Sequence, residues 1–446
     1  MKKVVKFGGS SLANAEQFQK VGEIIKSDKS RRYVVPSAPG KRFDGDTKVT
    51  DMLYGCYETA ASGEDFTNQL IKALQELKAI RERYYEIVRG LNLNLSLEKE
   101  FKTIQEDFKN QSGVEYAASR GEFLNGKIMA AYLGYTFVDA AEVIRFRKDG
   151  SFDMEATDKL LTKRLEKCEC AVIPGFYGAC ADGTVRTFSR GGSDVTGSLV
   201  AKAIQADLYE NWTDVSGILM ADPRIVENPR PIPRITYAEL REMAFMGASV
   251  LHEESILPVK EKGISLNIRN TNQPDNPGTM IRESFDETEQ LDHRFITGIA
   301  GRKHFSVITI TKTGMSSENG SLRRILEVLE RYGVNVEYLP SGIDNVSLVV
   351  SAEKAAPCMY QLLGELQKEI KPDAIHVTEN IAIVAAVGRK MAYQPGSSGK
   401  IFATLGENGI NIRMITQGPE ELNIIVGVDD ADFAPAIRVL YDSFVK

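Results

Sequence analysis

The chain is short of the residues that would place it in several broad classes. It has only five cysteines in 446 residues, at positions 56, 168, 170, 180 and 358. Their number is odd, and Cys168-Glu-Cys170 is the one close pair, with neither a second pair nor a nearby histidine to complete a metal site. Reduced thiols in a cytoplasmic protein are expected, not a disulfide framework or a zinc cluster. There is no excess of positive charge: the net charge of −6 implies no nucleic-acid partner and no anionic membrane surface. No apolar run is long enough to span a bilayer. The opening Met-Lys-Lys-Val-Val-Lys lacks the apolar core of a signal peptide. What remains is an ordinary globular balance, 43% hydrophobic and 26% charged, over a length that suggests roughly two to four domains.

The stretch Lys6-Phe7-Gly8-Gly9-Ser10-Ser11 stands out. Val4 and Val5 before it read as a buried strand, and Leu12, Phe18, Val21, Ile24 and Ile25 after it recur at helical spacing. A strand therefore ends, two glycines and two serines turn the chain, and a helix begins. Glycine lets the backbone approach a ligand closely, and free N–H groups at a helix start favour an anion. Neither the P-loop pattern nor the dinucleotide fingerprint is present.

Strands are expected at 32–35, 136–138, 171–173, 207–212 and 264–269, and helices from Val49, over 66–88, over 91–112, through Ile128 to Tyr132, over 195–204 and over 237–250. Strands alternating with helices over residues 1–283 predict an α/β fold with an open, mostly parallel sheet covered on both faces. Ser119-Arg-Gly-Glu122 reads as the lead into a helix, with Glu122 near its start. Thr187-Phe-Ser-Arg190-Gly191-Gly-Ser193-Asp194 is a second glycine turn before a helix. The polar, acidic run 284–293 marks a domain boundary.

Residues beyond it contain an internal repeat. Met315/Met391, Gly320/Gly396, Ile325/Ile401, Leu329/Leu405, Gly333/Gly409 and Asn335/Asn411 all lie 76 residues apart. Each copy reads as βαββαβ, the ferredoxin-like order, with the last strand missing from the second copy. Three domains are expected: 1–283, 294–380 and 381–446, with 294–302 completing the sheet of the second copy.

Taken singly, Arg190 and Glu122 could be surface ion pairs, and Asp194 and Asp214 helix and turn caps. Each falls at a predicted strand exit. Together with Lys6 they suggest a cradle for phosphate and carboxylate, with Glu122 facing an ammonium: a zwitterionic substrate beside a nucleotide.

Lys6-Phe-Gly-Gly-Ser-Ser, Ser119-Arg-Gly-Glu122, Arg190-Gly-Gly-Ser-Asp194, Trp212-Thr-Asp-Val215, Asp222-Pro-Arg224 and Asn270-Thr271 with Gly278-Thr279 resemble the aspartokinases, in that order. The repeat resembles the tandem ACT domains that regulate that family. The resemblance implies the amino-acid kinase fold and transfer of the ATP γ-phosphoryl group to the β-carboxylate of L-aspartate, the first step toward lysine, threonine and methionine. It assigns catalysis to Lys6 and Asp194. It assigns L-aspartate to Ser37, Thr50, Glu122, Arg190, Gly191 and Ser193, and ATP with Mg²⁺ to Lys6, Gly8, Gly9, Ser10, Thr213, Asp214 and Arg224. It implies an amino-acid effector near Met315, Glu318, Gly320, Val336, Glu337 and Ser341, and a homodimer or dimer of dimers formed through the repeat. Glu318 and Glu337 are two carboxylates, which favours L-lysine over L-threonine.

The sequence departs from the family pattern at Ser249, where a phosphate-contacting lysine is usual, at Glu253 and Glu254 after His252, and at Leu219. Lys260 or Lys262 is expected to substitute for the lysine. The alternatives are an effector-binding regulator with an inactive kinase half, and a kinase for another small carboxylate or amine.

Overall fold

The structure is a computed structural model that describes all residues except 62–65, 111, 190, 249–250, 252, 287–293 and 446. The chain forms two compact units. The first comprises Met1–Ile218, Pro231–Tyr237 and Val250–Phe285, and the second comprises Leu219–Arg230, Ala238–Ser249 and Asp286–Lys446. None of the described helices is long and apolar enough to cross a membrane.

The first unit contains β1 (Lys3–Phe7), α1 (Ala15–Lys26), β2 (Arg31–Pro36), α2 (Val49–Ala61), α3 (Phe66–Gly90), α4 (Glu98–Lys109), α5 (Val114–Leu133), β3 (Thr136–Phe137), α6 (Ala140–Val143) and α7 (Met154–Leu165). It continues with β4 (Ala171–Val172), β5 (Tyr177–Ala179), β6 (Val185–Thr187), α8 (Gly192–Ala203), β7 (Leu208–Thr213) and β8 (Arg234–Thr236). After α9 (Tyr237–Phe245), which belongs to the second unit from Ala238 on, come α10 (Glu253–Glu261), β9 (Ser265–Asn270) and β10 (Thr279–Arg282). Eight strands form one sheet in the order β3-β4-β2-β1-β7-β9-β10-β8, parallel except between β9 and β10.

Two features of this order place the site. The chain leaves β1 toward β2 and returns to its other side as β7, so strand order reverses between β1 and β7. Ligands of open α/β sheets bind outside the carboxyl ends of the strands at such a reversal. Alternation then divides the side chains of β7. Tyr209 and Asn211 face α8, whereas Glu210 and Trp212 face the opposite layer, where Trp212 stacks on Phe7 with ring centres 5.9 Å apart. On that layer the buried Glu210 takes a forked pair from Arg31 (2.8 and 3.3 Å) and the Trp212 indole N–H (2.9 Å). A buried carboxylate is tolerable only with its acceptor positions filled in this way.

The segments joining the strands follow their sequences. Asn14 caps α1 by accepting from Gln17 N–H at 3.0 Å, and Phe18, Val21, Ile24 and Ile25 form the buried face. Each such side chain contributes roughly 1.5–3 kcal/mol by leaving water. α5 differs from expectation. It begins at Val114, so Glu122 lies in the middle of a helix that is buried from Ala117 to Asn125 at every position but the half-buried Phe123, and is not a cap. Gly121 does not mark a helix start. A Cβ there would come within 2.8 Å of the Ala38 methyl, and the helix accepts glycine in order to approach the loop after β2.

The second unit holds β11 (Gly298–Thr311), α11 (Ser321–Arg331), β12 (Val336–Tyr338), β13 (Asn345–Ser351), α12 (Ala352–Ala355), α13 (Met359–Ile370), β14 (Ala374–Val387), α14 (Ser397–Glu407), β15 (Met414–Thr416), β16 (Asn423–Asp429) and α15 (Phe433–Phe444). The two repeats do not form two sheets. The expected strands 374–379 and 381–388 are one continuous strand, joined through Asn380 at φ +58°, a left-handed conformation that asparagine tolerates better than most residues. β11 is likewise continuous through His304 at φ +67°. Residues 298–302 pair antiparallel with 383–387, and 305–311 with both β13 and the first half of β14. One six-stranded sheet results, in the order β12-β13-β11-β14-β16-β15. The segments 219–230 and 238–249, which the sequence pattern groups with residues 1–283, pack with this unit instead. Ile299 N–H bonds Met220 C=O at 2.7 Å, and Thr297 Oγ1 donates to Glu239 at 2.6 Å.

Candidate active site

Lys6 and Asn211 are register partners on adjacent parallel strands, β1 and β7. The Lys6 ammonium lies 2.6 Å from Asp194 Oδ1 and donates to Asn211 Oδ1 at 3.3 Å, while Asn211 Nδ2 donates to the same Asp194 oxygen at 2.9 Å. Asp194 occupies the first turn of α8. That helix comes close to β7 because Gly197 presents no side chain: a Cβ there would meet the Tyr209 hydroxyl at 2.3 Å. Tyr209 O–H in turn donates to Asp194 C=O at 3.1 Å. The three side chains fix a mostly buried cation at the carboxyl end of β1, directly before the glycine turn.

Beyond that turn the chain makes a short 3-10 turn at Ser10–Leu12, and α1 begins only at Ala15. Gly8 N–H bonds Trp212 C=O at 3.0 Å. A Cβ at Gly8 would meet nothing closer than 3.6 Å and would lie 3.7 Å from Lys6 Nζ, so glycine here keeps open the space beside the ammonium. Gly9 is different, because the loop after β2 packs against it. Gly40 N–H bonds Gly9 C=O at 2.8 Å, and a Cβ on Gly40 would fall 2.5 Å from the Gly9 carbonyl carbon. Gly40→Ala is therefore expected to push the two loops apart. A loss of about 1–3 kcal/mol of stability, as for an overpacked site, should accompany a fall of about tenfold or more in kcat/KM, read by thermal melting and steady-state kinetics. Wild-type kinetics in a folded variant would show that this contact does not shape the site.

The loop after β2 also meets α5. Ala38 N–H donates to Glu122 Oε1 at 3.1 Å, Asn125 Nδ2 donates to Ser37 C=O at 2.6 Å, and Ser37 N–H returns to Phe7 C=O at 3.1 Å. Thr50, in the first turn of α2, has its hydroxyl 3.7 Å from where a Gly121 Cβ would be. Glu122 is 5% exposed, and burial pushes its carboxyl up to about 8 from the usual 4.5. The Ala38 N–H bond and the positive charge of Arg120 oppose that desolvation without overcoming it.

The loop after β4 completes the wall. Gly175 N–H bonds Pro36 C=O at 3.1 Å, and its missing Cβ would meet Ser193 Oγ at 2.5 Å. Phe176 sits at φ +80°, a strained position for an aromatic residue. It is held there by Thr196 Oγ1, which accepts its N–H at 3.1 Å, and by Phe188 N–H, which donates to its C=O at 2.9 Å. Gly191 starts α8 in the left-handed region at φ +55°, its C=O accepting from Asp194 and Val195 N–H.

The structure thus gathers Lys6, Gly8, Gly9, Ser37, Thr50, Glu122, Ser193 and Asp194 around connected loops at the carboxyl end of the central strands. Ser10 lies in the 3-10 turn. Thr213 and Asp214 follow β7, with the Thr213 hydroxyl 3.2 Å from Asp214 Oδ1. Arg224 belongs to the second unit, where its exposed guanidinium closes on Asp222 at 2.6 Å. Arg190, Ser249 and His252 lie outside the described residues.

The amino acid kinase family pattern matches residues 1–270, and an ACT domain pattern matches residues 384–444. Aspartokinase 3 of Bacillus subtilis is 36% identical over 459 residues, covering 99% of this chain and 98% of that protein. The chain belongs to the aspartokinases. Its fold superposes on the aspartate kinase of Clostridium acetobutylicum with a TM-score of 0.89 at 48% identity, covering 99% of this chain and 100% of that one. Aspartokinase III of E. coli, solved in complex with aspartate and ADP, gives 0.76 at 25% identity with both chains fully covered.

In this aspartokinase the residues around the suggested effector position are already paired. Glu318 forms ion pairs with both Lys312 and Arg324, and those two cations hold its carboxyl below its usual range. Glu337 lies 3.3 Å from Arg302. Both carboxylates on which the expectation of a cationic effector rests are thus ion-paired within the chain. Met315 is buried in the first repeat's core, Gly320 precedes α11 at φ +80°, Val336 lies on β12, and Ser341 bridges to Val346. Sequence reasoning passed over Asn211, Gly40, Asn125 and the strained Phe176. For Asn211 a signal was present: an amide within a strand that is buried from Leu208 to Trp212.

Proposed function

We propose that this chain transfers the ATP γ-phosphoryl group to the β-carboxylate of L-aspartate, giving 4-phospho-L-aspartate. The observation that carries the reading is the Lys6–Asp194–Asn211 cluster at the glycine turn, sharing its loops with a buried Glu122. The nucleophile, a carboxylate of pKa ~4, is already ionised, so no general base is needed. The work is to hold two anions together and to offset charge on the transferred group. Lys6 supplies that charge, and Asp194 with Asn211 fixes its direction. Gly8, Gly9 and Ser10 leave room for phosphate oxygens, and Thr213 and Asp214 serve the nucleotide. Glu122 takes the substrate ammonium. Arg190, with Gly191 and Ser193, takes a substrate carboxylate, and Ser37 and Thr50 line the same loops. Among the described residues no group of three or more His, Cys, Asp or Glu could hold a metal. Mg²⁺, carried in on the phosphates, would supply further positive charge there.

The repeat is proposed to bind an amino-acid effector and to pair subunits in a cytoplasmic homodimer or dimer of dimers. Leu322 and Leu326 on α11 stay 43% and 42% exposed, which suits a pairing surface. L-lysine is the first effector to test, because aspartokinase III of E. coli has been solved with lysine and aspartate; L-threonine is next. ADP release with Mg-ATP and L-aspartate, repeated with each amino acid, tests both parts. Turnover suppressed by lysine or threonine is expected. No turnover with aspartate would favour an effector-binding regulator with an inactive kinase half.

A further inference from the structure

Glu122 and Asn125 lie one turn apart on the same face of α5. Each spends one polar atom on the loop after β2, on consecutive residues: Glu122 Oε1 accepts from Ala38 N–H, and Asn125 Nδ2 donates to Ser37 C=O. The Ser37 carbonyl can be served only by the amide NH₂, so the orientation of Asn125 is set and its oxygen is left over. Both leftover atoms, Glu122 Oε2 and Asn125 Oδ1, are buried with no hydrogen-bond partner among the described residues. Asn125 itself is 0% exposed. Two buried polar atoms left over, facing one loop from one helix face, are both met by a donor-rich cation, which also displaces the proton that burial favours on Glu122. A primary ammonium brings three N–H donors and a positive charge, whereas a carboxylate brings none.

We propose that Asn125 is a second acceptor for the substrate's α-ammonium, beside Glu122, and that the pair makes the site select an amino dicarboxylate over a plain dicarboxylate. This rests on the reading of L-aspartate as the acceptor. Asn125 has two duties: its amide nitrogen positions Ser37, and its oxygen touches the substrate.

The test separates the two. KM for L-aspartate and the competitive inhibition constant of succinate, which has both carboxylates and no ammonium, are measured for the wild type and for Asn125→Ala. Loss of a hydrogen bond to a charged group should raise KM for L-aspartate about tenfold or more, beyond whatever change the lost support of Ser37 makes in the succinate constant. Equal changes in both would reduce Asn125 to a support for Ser37 and overturn the proposal, as would no change in either. A crystal structure of the wild type with L-aspartate gives a second reading that needs no variant and no succinate binding. The proposal requires Asn125 Oδ1 within about 3.2 Å of the substrate nitrogen, and a water filling that position instead overturns it. If the wild type does not turn over L-aspartate at all, the functional reading fails before any variant is compared, and this proposal falls with it.

Discussion

Lys6→Ala lowers kcat by about 100-fold or more, the loss expected when a preorganised charge is removed from where negative charge develops. The size follows from how Lys6 is held. It is 8% exposed and bound by Asp194 at 2.6 Å and Asn211 at 3.3 Å, so its ammonium cannot swing away. The variant also leaves the Asp194 carboxylate without its cation beside the phosphate path, so repulsion adds to the lost attraction. Thermal melting separates this from unfolding: β1 keeps its ladder to β2 and β7, and a folded variant with lost turnover is the expected pair of results. Near-normal kcat in that variant would remove Lys6 from the mechanism.

The second large effect concerns protons. Glu122 in the ligand-free chain has its carboxyl pushed up to about 8 by burial, so near neutral pH it is mostly protonated. A substrate ammonium favours the ionised form. Binding of L-aspartate should then expel close to one proton at pH 7, measurable by calorimetry in buffers of different ionisation enthalpy. The KM for aspartate should fall as pH rises from 6 toward 8, by up to about tenfold per unit. The sign for folding is opposite. Between about 4.5 and 8 the folded chain holds a proton that the unfolded chain has lost, so this group's contribution to stability declines as pH rises through that window. Glu122→Gln should abolish the proton release and flatten the pH dependence while raising KM. A wild type with no proton exchange and a pH-independent KM would mean that Glu122 does not receive the ammonium.

Both glycine turns were legible because they interrupt apolar periodicity with residues chosen for what they lack. The parallel sheet was legible because strand patterns alternate with helix patterns along residues 1–283. What escaped did so for specific reasons. β5, β6, β8 and β10 are three or four residues long, too short for alternation to register. α10 carries Pro258 within it, which in a sequence reads as a break. α5 is buried at nearly every position around Glu122, so it shows no stripe, and the glycine in it mimics a helix start. α7 is a different case: Asp153 capping Ala156 N–H, with Thr157, Leu161 and Leu165 buried at helical spacing, was there to be read. Within the site, positions set by strand crossings could not be found locally. Asn211 meets Lys6 only because β1 and β7 are neighbours in register, and Gly40 meets Gly9 only because β1 and β2 are.

The shared strands of the regulatory unit limit how it can be made and exchanged. Residues 298–302 precede the first repeat yet pair with 383–387 at the start of the second. Neither repeat can be lifted out as a self-contained cassette: cutting at Asn380 leaves each half with a strand edge that its partner was covering. During synthesis, the strand at 298–302 waits without that partner until the beginning of the second repeat has emerged. Closing such a long-range pairing is slow, and unpaired edges invite association. Grafting regulation from one enzyme of this kind onto another should therefore succeed only when the whole unit moves together, including the segments 219–230 and 238–249 that pack with it.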